Sequence, residues 1–189
     1  MKTLLLAAAL STSASFAFAA DRYTLDASHS QILFSYNHLG FSTTFGMFSG
    51  FEGEIMFDAE DPAASSVSVS MPTKSMFTGW EQRDGHFMSP DFFGAADDDL
   101  ISFASTGIEV TGDGTALITG DLTMNDVTKS VVLDAVLNQA GTNPLSQKEW
   151  AGFNAPTTLL RSDFGLGAFA PAVSDEVSVQ ISIEAGKAE

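Results

Sequence analysis

The chain has 189 residues, 24 acidic and 8 basic side chains, a formal net charge of -16, and no cysteine. This acidity excludes nucleic acids and anionic lipid headgroups as partners, because both are bound through basic surfaces. The lack of cysteine excludes disulfide bonds and thiol catalysis. In an exported chain it fits a bacterial periplasm better than a disulfide-stapled secreted domain.

The first predicted element is a secretory signal peptide over residues 1–19. Lys2 supplies a positive start, residues 4–10 are apolar, and Ala17-Phe18-Ala19 fits a cleavage site between small residues. A membrane anchor is the alternative, but the apolar stretch is short and is interrupted by Ser and Thr. We therefore expect export to the periplasm, and a mature chain of residues 20–189 that forms one domain without stable membrane insertion.

The next segments alternate apolar and polar side chains, which is typical of half-buried strands. Ile32, Phe34 and Tyr36 share one face of the first segment. The second is predicted to be one long strand, bent at Gly50 and Gly53. Its inner face is predicted to consist of Phe45, Met47, Phe51, Ile55 and Phe57.

Further alternating segments follow over residues 66–71, 101–103, 108–110, 116–124, 131–137 and 177–183. With the first two they give about eight strands, and the side chains of one parity must enclose a common interior. Closing the sheet removes its edges, so the pattern predicts an all-β fold, an eight-stranded antiparallel barrel. A two-sheet sandwich is the alternative, which alternation alone does not separate from a barrel.

Two stretches interrupt the strands. In residues 76–93, Trp80, Asp84, Phe87 and Met88 recur at steps of three to four, which predicts a short helical insert. Residues 139–160 contain Pro144, Trp150 and Pro156, and we expect a long loop or lid there.

No motif for catalysis stands out. The chain lacks a Gly-x-Ser-x-Gly sequence. Of its three histidines, His29 and His38 are nine residues apart, about 30 Å in an extended strand, too far to share a metal ion. Each histidine is expected to make a local hydrogen bond, so we predict no metal site and no enzyme.

Phenylalanine is the main compositional clue to function. The chain has 16 Phe, and the stretch "FSYNHLGFSTTFGMFSGF" from Phe34 to Phe51 carries no charged residue other than, when protonated, His38. An eight-stranded barrel encloses either packed side chains or one ligand. Composition alone does not decide between an interior filled by side chains and one that holds a ligand.

Several segments resemble the YceI-like family. The first matching positions are Asp26, His29, Ser30, His38, Gly46, Phe48, Phe57 and Asp58. The segments "RDGHFMSPDFF" (83–93), "ITGDLTMNDVTKSVVL" (118–133), "RSDFGL" (161–166) and "VSDEVSVQISIEA" (173–185) also match, in the right order. The resemblance therefore covers nearly all of the predicted mature chain.

The resemblance implies a lipocalin-like barrel with a hydrophobic tunnel that binds a long-chain isoprenoid lipid, such as a quinone or a prenyl pyrophosphate. The expected function is a periplasmic carrier without a cofactor. The alternatives are a metal-dependent enzyme on the same barrel, which would need His29 or His38 near a metal ion, and a ligand-free stress-response protein that interacts with others through a filled barrel. Association of two copies into a homodimer is left open.

Candidate ligand-binding residues follow from strand parity and from the helical insert. The tail is expected to contact Ile32, Phe34, Tyr36, Phe57, Phe103 and Leu122. Phe92 and Phe93 are expected to cap the tunnel, with His38, Arg83 and Asp84 at the head group. A structural role is the alternative for each head-end residue, in which Arg83 and Asp84 cap or brace the helix.

The charge near the head group favours a neutral ligand. The family often has an Arg-Gly pair where this chain has Met124, Asn125 and Asp126, and the best remaining cations are Arg83 and Arg161. A diphosphate normally requires several Arg or Lys side chains near its oxygens. We therefore expect a neutral head group such as a quinone ring.

Overall fold

The structure is a computed structural model that describes residues 20–189. The predicted signal peptide lies outside this range. The described strands are β1 (Asp21–Leu25), β2 (Gln31–His38), β3 (Ser42–Phe48), β4 (Glu52–Phe57), β5 (Ser66–Pro72), β6 (Leu100–Gly112), β7 (Thr115–Met124), β8 (Val127–Thr142), β9 (Glu149–Leu160) and β10 (Glu176–Lys187). One α-helix, α1 (Glu81–Phe87), lies between β5 and β6.

All ten strands form one antiparallel sheet that closes on itself. Its order is β1-β4-β5-β6-β7-β8-β9-β10-β2-β3, and β1 also pairs with β10. The two halves of β10 pair with β2 and β1, so β1 and β2 together occupy one place in the barrel. Likewise β3 pairs with β2 and β4 with β1. Counted this way, the barrel has eight strands, as predicted, and is not a two-sheet sandwich.

The break between β3 and β4 changes which side chains face inward. Gly50 has a φ of +72°, a left-handed conformation that favours glycine. Across this break Phe48 and Phe51 are both buried, although they are three residues apart, whereas Phe45 is 63% exposed. The prediction that Phe45 and Met47 share an inward face with Phe51 was therefore wrong, because the bend shifts the alternation by one residue.

Residues 139–160 do not form the predicted loop. They contain the end of β8, a short turn over residues 143–148, and all of β9. The pairing of β8 with β9 ends at Val136 and Asn154. Pro156 is therefore tolerated, because β8 accepts no hydrogen bond from this position and the N–H that proline lacks is not needed there. Pairing with β10 along the whole of β9 holds the strand extended.

The predicted helical insert is α1, which has seven residues. It lies at the same end of the barrel as the β2–β3 turn (residues 39–41) and the connection from β9 to β10 (residues 161–175). We call this the helix end. The opposite end, where β1 begins and β10 finishes, is the terminal end. Within residues 20–189, no helix is both long and apolar enough to cross a membrane.

Candidate functional site

The barrel encloses a cavity of about 780 Å³. Its lining comes from both ends, with Trp80 and Phe169 at the helix end and Pro62 and Thr115 at the terminal end. The volume is in the range of cavities that hold small-molecule ligands. The interior of the barrel is thus open, and its own side chains do not fill it.

Ten of the eleven predicted ligand-binding residues line this cavity. They are Ile32, Phe34, Tyr36, His38, Phe57, Arg83, Phe92, Phe93, Phe103 and Leu122. The remaining residue, Asp84, is not part of the lining, because its carboxylate is engaged elsewhere. The structure brings the predicted tail and head-end groups into one continuous space, and their contacts with a ligand stay a prediction.

Aromatic rings from α1 and the segment after it close part of the helix end. Phe87 packs edge-to-face on Tyr36 of β2, with ring centroids 6.1 Å apart. Phe92 packs on Phe87 at 5.2 Å, and Phe169 lies 6.0 Å from Phe92. The first two pairs are edge-to-face, a geometry that stabilises the packing beyond the area it buries, whereas the third pair is tilted. The helix end of the cavity therefore has an aromatic wall supplied by three separate segments.

Asp84 stabilises the approach to α1. Its Oδ1 accepts hydrogen bonds from the backbone N–H of Thr78 at 2.9 Å and from the Thr78 hydroxyl at 2.5 Å. Arg83 donates from Nε to Thr78 Oγ1 at 2.8 Å and from a terminal nitrogen to Thr78 O at 2.6 Å. Asp84 thus braces the turn before the helix, which is the structural alternative to a head-group contact.

Arg83 and Arg161 both line the helix end of the cavity. Arg161 donates hydrogen bonds to the backbone carbonyl oxygens of residues 166, 168, 173 and 174. Burial lowers the pKa of its guanidinium below the ordinary value. Arg161 therefore has four of its five N–H groups occupied, whereas two contacts to Thr78 leave Arg83 with three N–H groups that have no partner among residues 20–189.

A group of three possible metal ligands lies on the outer wall, at the break between β1 and β2. Asp26, His29 and Glu184 each offer a ligand atom, and these atoms lie within 4.8 Å of one another. None of the three lines the cavity. His29 Nδ1 lies 2.7 Å from Asp26 Oδ2, and Glu184 accepts a hydrogen bond from Trp150 Nε1 at 2.9 Å.

The electrostatics of this group follow from the His29 contact. The hydrogen bond from His29 and those from Ser28 lower the pKa of Asp26 to about 2, and Asp26 in turn raises the pKa of His29. His29 therefore makes a local hydrogen bond, as predicted. A metal ion bound at this group would lie on the outside of the wall, away from a ligand in the cavity.

Several cavity residues were missed by sequence reasoning. Phe153, Ala155, Thr157 and Leu159 line the cavity from β9, the strand that was predicted as a loop. Their i, i+2 spacing was visible in the sequence but was masked by Pro156 and by small residues. His86 also lines the cavity, from α1. Its position depends on the docking of the helix and had no signature in the sequence.

Comparison with known proteins gives matches along most of the chain. The sequence profile of the YceI-like domain matches residues 23–185. A UPF0312 protein of Ectopseudomonas mendocina (strain ymp) is 41% identical over 170 residues, which cover 89% of this chain and 88% of the relative.

Two solved structures resemble the barrel. The YCEI protein of Campylobacter jejuni has a TM-score of 0.72 at 29% identity and covers 81% of this chain and 90% of its own. A polyisoprenoid binding domain from Saccharophagus degradans has a TM-score of 0.68 at 15% identity and covers 88% of this chain and 98% of its own. At this low identity, the second likeness shows a shared fold alone.

Proposed function

Because this chain belongs to the YceI-like family, we propose that it is a periplasmic carrier that binds a long-chain isoprenoid lipid inside its barrel. The observation that carries the proposal is the apolar cavity of about 780 Å³, which strands all around the barrel line. The polyisoprenoid binding domain of Saccharophagus degradans, which shares the fold, supports an isoprenoid as the ligand class. The predicted signal peptide supports the location.

Burial of the tail supplies most of the affinity. Each methylene that leaves water for an apolar cavity contributes on the order of 0.8 kcal/mol. Ile32, Phe103 and Leu122 offer surfaces that need no hydrogen-bonding partner, so an unbranched or methyl-branched hydrocarbon fits without polar recognition. The ligand leaves as it entered, because this role involves no chemical step.

A neutral head group fits the helix end best. Arg161 donates four of its five N–H groups to backbone carbonyl oxygens. Among residues 20–189, Arg83 is therefore the arginine of the cavity that has several N–H donors without a partner. Together with the imidazoles of His38 and His86, Arg83 can donate to the carbonyl oxygens of a quinone ring. A diphosphate would need more cations near its oxygens than this end provides.

The carrier proposal is tested by mass spectrometry of an organic extract of the protein purified without detergent. We expect an unmodified isoprenoid lipid in stoichiometric amount. The proposal fails if the extract holds no lipid and the delipidated protein binds neither prenol, prenyl diphosphate nor quinone.

Competition among these three probes, matched in tail length, tests the head group separately. We expect the quinone to compete best. Preferential binding of the diphosphate at moderate salt would overturn the neutral head group and leave the carrier proposal intact.

A further inference from the structure

The exposed aromatic residues of the structure all lie in one half of the barrel. Within residues 20–189, the exposed Phe and Trp side chains are Phe41, Phe45, Phe77, Trp80 and Phe169, and no Tyr is exposed. Phe41, Trp80 and Phe169 lie in the connections at the helix end, where Leu39 is also exposed. Phe45 lies within β3, and Phe77 pairs with Met47 of β3, so these two lie on the outer wall of the same half of the barrel. We call these six residues the rim patch. Exposed apolar patches of this kind mark interaction sites on soluble proteins.

The rim patch is continuous with the cavity. Trp80 and Phe169 are more than half exposed, and both also line the cavity. Phe77 extends the patch beside β3, since its backbone pairs with Met47 in an isolated bridge. The apolar surface outside the barrel therefore leads directly into the apolar surface inside it.

The β2–β3 turn holds the most exposed residue of the patch in a fixed place. Phe41 is 90% exposed. The backbone N–H of Leu39 donates to Ala172 O at 3.0 Å, and that of Gly40 donates to Asn37 Oδ1 at 2.7 Å. Leu39 itself adopts a left-handed φ of +56°, which costs a non-glycine residue energy and persists only where surrounding contacts hold it. Phe41 is thus presented to solvent by a braced turn.

The charge of the protein limits what can cover this patch. Residues 34–51 carry no charged side chain except, when protonated, His38, whereas the described chain as a whole carries -17 after Lys2 is removed from the total of -16. An anionic membrane or an acidic partner would be repelled. A membrane with neutral headgroups would not be repelled. Aromatic side chains insert favourably into its headgroup layer, next to the apolar interior.

We propose that the rim patch docks on a zwitterionic lipid bilayer, so that an isoprenoid tail passes between bilayer and cavity without crossing water. This rests on the proposed function, because a lipid ligand has to be taken from a membrane and two residues of the patch, Trp80 and Phe169, also line the helix end of the cavity. Docking is transient, since the patch is a rim of a few side chains and not a membrane-spanning element.

The test is flotation of the full-length mature protein with phosphatidylcholine vesicles. The substitutions Phe41→Ser and Phe45→Ser are combined in one variant, because neither side chain lines the cavity or belongs to the buried core. We expect the partition coefficient to fall about tenfold or more in this variant. Leu145→Ser is the matched control, since Leu145 is 93% exposed at the terminal end and its loss should change nothing.

Fluorescence and lipid composition provide two further readouts. Trp80 lies in the patch and Trp150 lies near the terminal end, so a Trp150→Phe variant reports on Trp80 alone. We expect its emission to shift to the blue on phosphatidylcholine vesicles. Replacing a third of the phosphatidylcholine by phosphatidylglycerol should weaken binding at low salt.

Several outcomes would overturn the docking proposal. One is a wild type that does not float with phosphatidylcholine; another is equal loss of flotation in the patch variant and the Leu145→Ser control. A concentration-dependent dimer that the patch variant abolishes, without vesicle binding, would assign the patch to a second copy of the chain. Binding of prenol, prenyl diphosphate and quinone measured from detergent solution separates the two proposals. Binding of at least one probe survives in the patch variant if the carrier function is right, and binding of all three is absent in every variant if it is wrong.

Discussion

The ring of Phe34 lies against the backbone of Gly46, its cross-strand partner in the β2–β3 pairing. A Cβ added at Gly46 would be 2.3 Å from Phe34 Cζ, far inside van der Waals contact. Phe34 therefore lies along the wall of the cavity because Gly46 has no side chain, and the free space beside it depends on this pair.

The first prediction follows from this contact. The substitution Gly46→Ala should push the Phe34 ring into the cavity, weaken ligand binding, and lower the free energy of unfolding by about 1–3 kcal/mol. Thermal unfolding and quinone titration measure the two effects. Gly107→Ala is the control, since a Cβ there meets nothing within 4 Å. Equal behaviour of the two variants would show that Phe34 does not depend on Gly46.

The second prediction concerns the free volume of the cavity. Ala135 is buried and lines the cavity from β8, whereas Val132 on the same strand is 48% exposed on the outer face. Ala135→Phe should place a ring in the space that the tail needs and weaken binding at least tenfold, about 1.4 kcal/mol. Val132→Phe should leave affinity unchanged. Undiminished binding by Ala135→Phe would mean that the tail lies elsewhere.

The third prediction concerns the anchor of the β9–β10 connection. Arg161→Lys keeps the charge but cannot reproduce the planar set of N–H groups that four carbonyl oxygens accept. We expect a loss of about 1–3 kcal/mol in the free energy of unfolding, measured by urea denaturation. The control is Arg22→Lys at an exposed ion pair with Glu54, which should change stability by less than about 0.5 kcal/mol. Equal losses would argue against an anchoring role for Arg161.

The fourth prediction is a pH dependence at Asp26 and His29. Asp26 has its pKa lowered from 3.8 to about 2, so the stability it contributes is present above pH 3.8 and is lost as the pH falls towards 2. His29 has its pKa raised, so its contribution is present below pH 6.5 and is lost as the pH rises through the folded pKa. Asp26→Asn should bring the His29 pKa back towards 6.5 in an NMR titration. An unchanged His29 pKa would rule out the pairing in solution.

The alternation of side chains was enough to predict most of the barrel. In β5, for example, Val67, Val69 and Met71 alternate with serines, and all three line the cavity. In such strands the sequence itself indicates which face is buried, because one face meets water and the other does not. Most of the ten cavity-lining candidates were identified from this alternation.

The errors arose where tertiary contacts override local sequence. In residues 149–160, Pro156 and small residues mask the alternation of apolar side chains, and the long pairing with β10 holds the strand extended. The one-residue shift at Gly50 is likewise invisible until the pairing partners of β3 and β4 are known. For Asp84 the sequence left a head-group contact and a brace of the helix open, and the hydrogen bonds from Thr78 support the brace.

Closure of the barrel joins the two extremes of the described chain, because Tyr23 of β1 pairs with Lys187 of β10. An incomplete chain lacks the last strand and leaves β1, β2 and β9 without a common neighbour. Contacts that span such a long sequence separation make folding slow and dependent on the full length. While it emerges from a ribosome, this polypeptide therefore cannot complete its native structure until the residues of β10 are released.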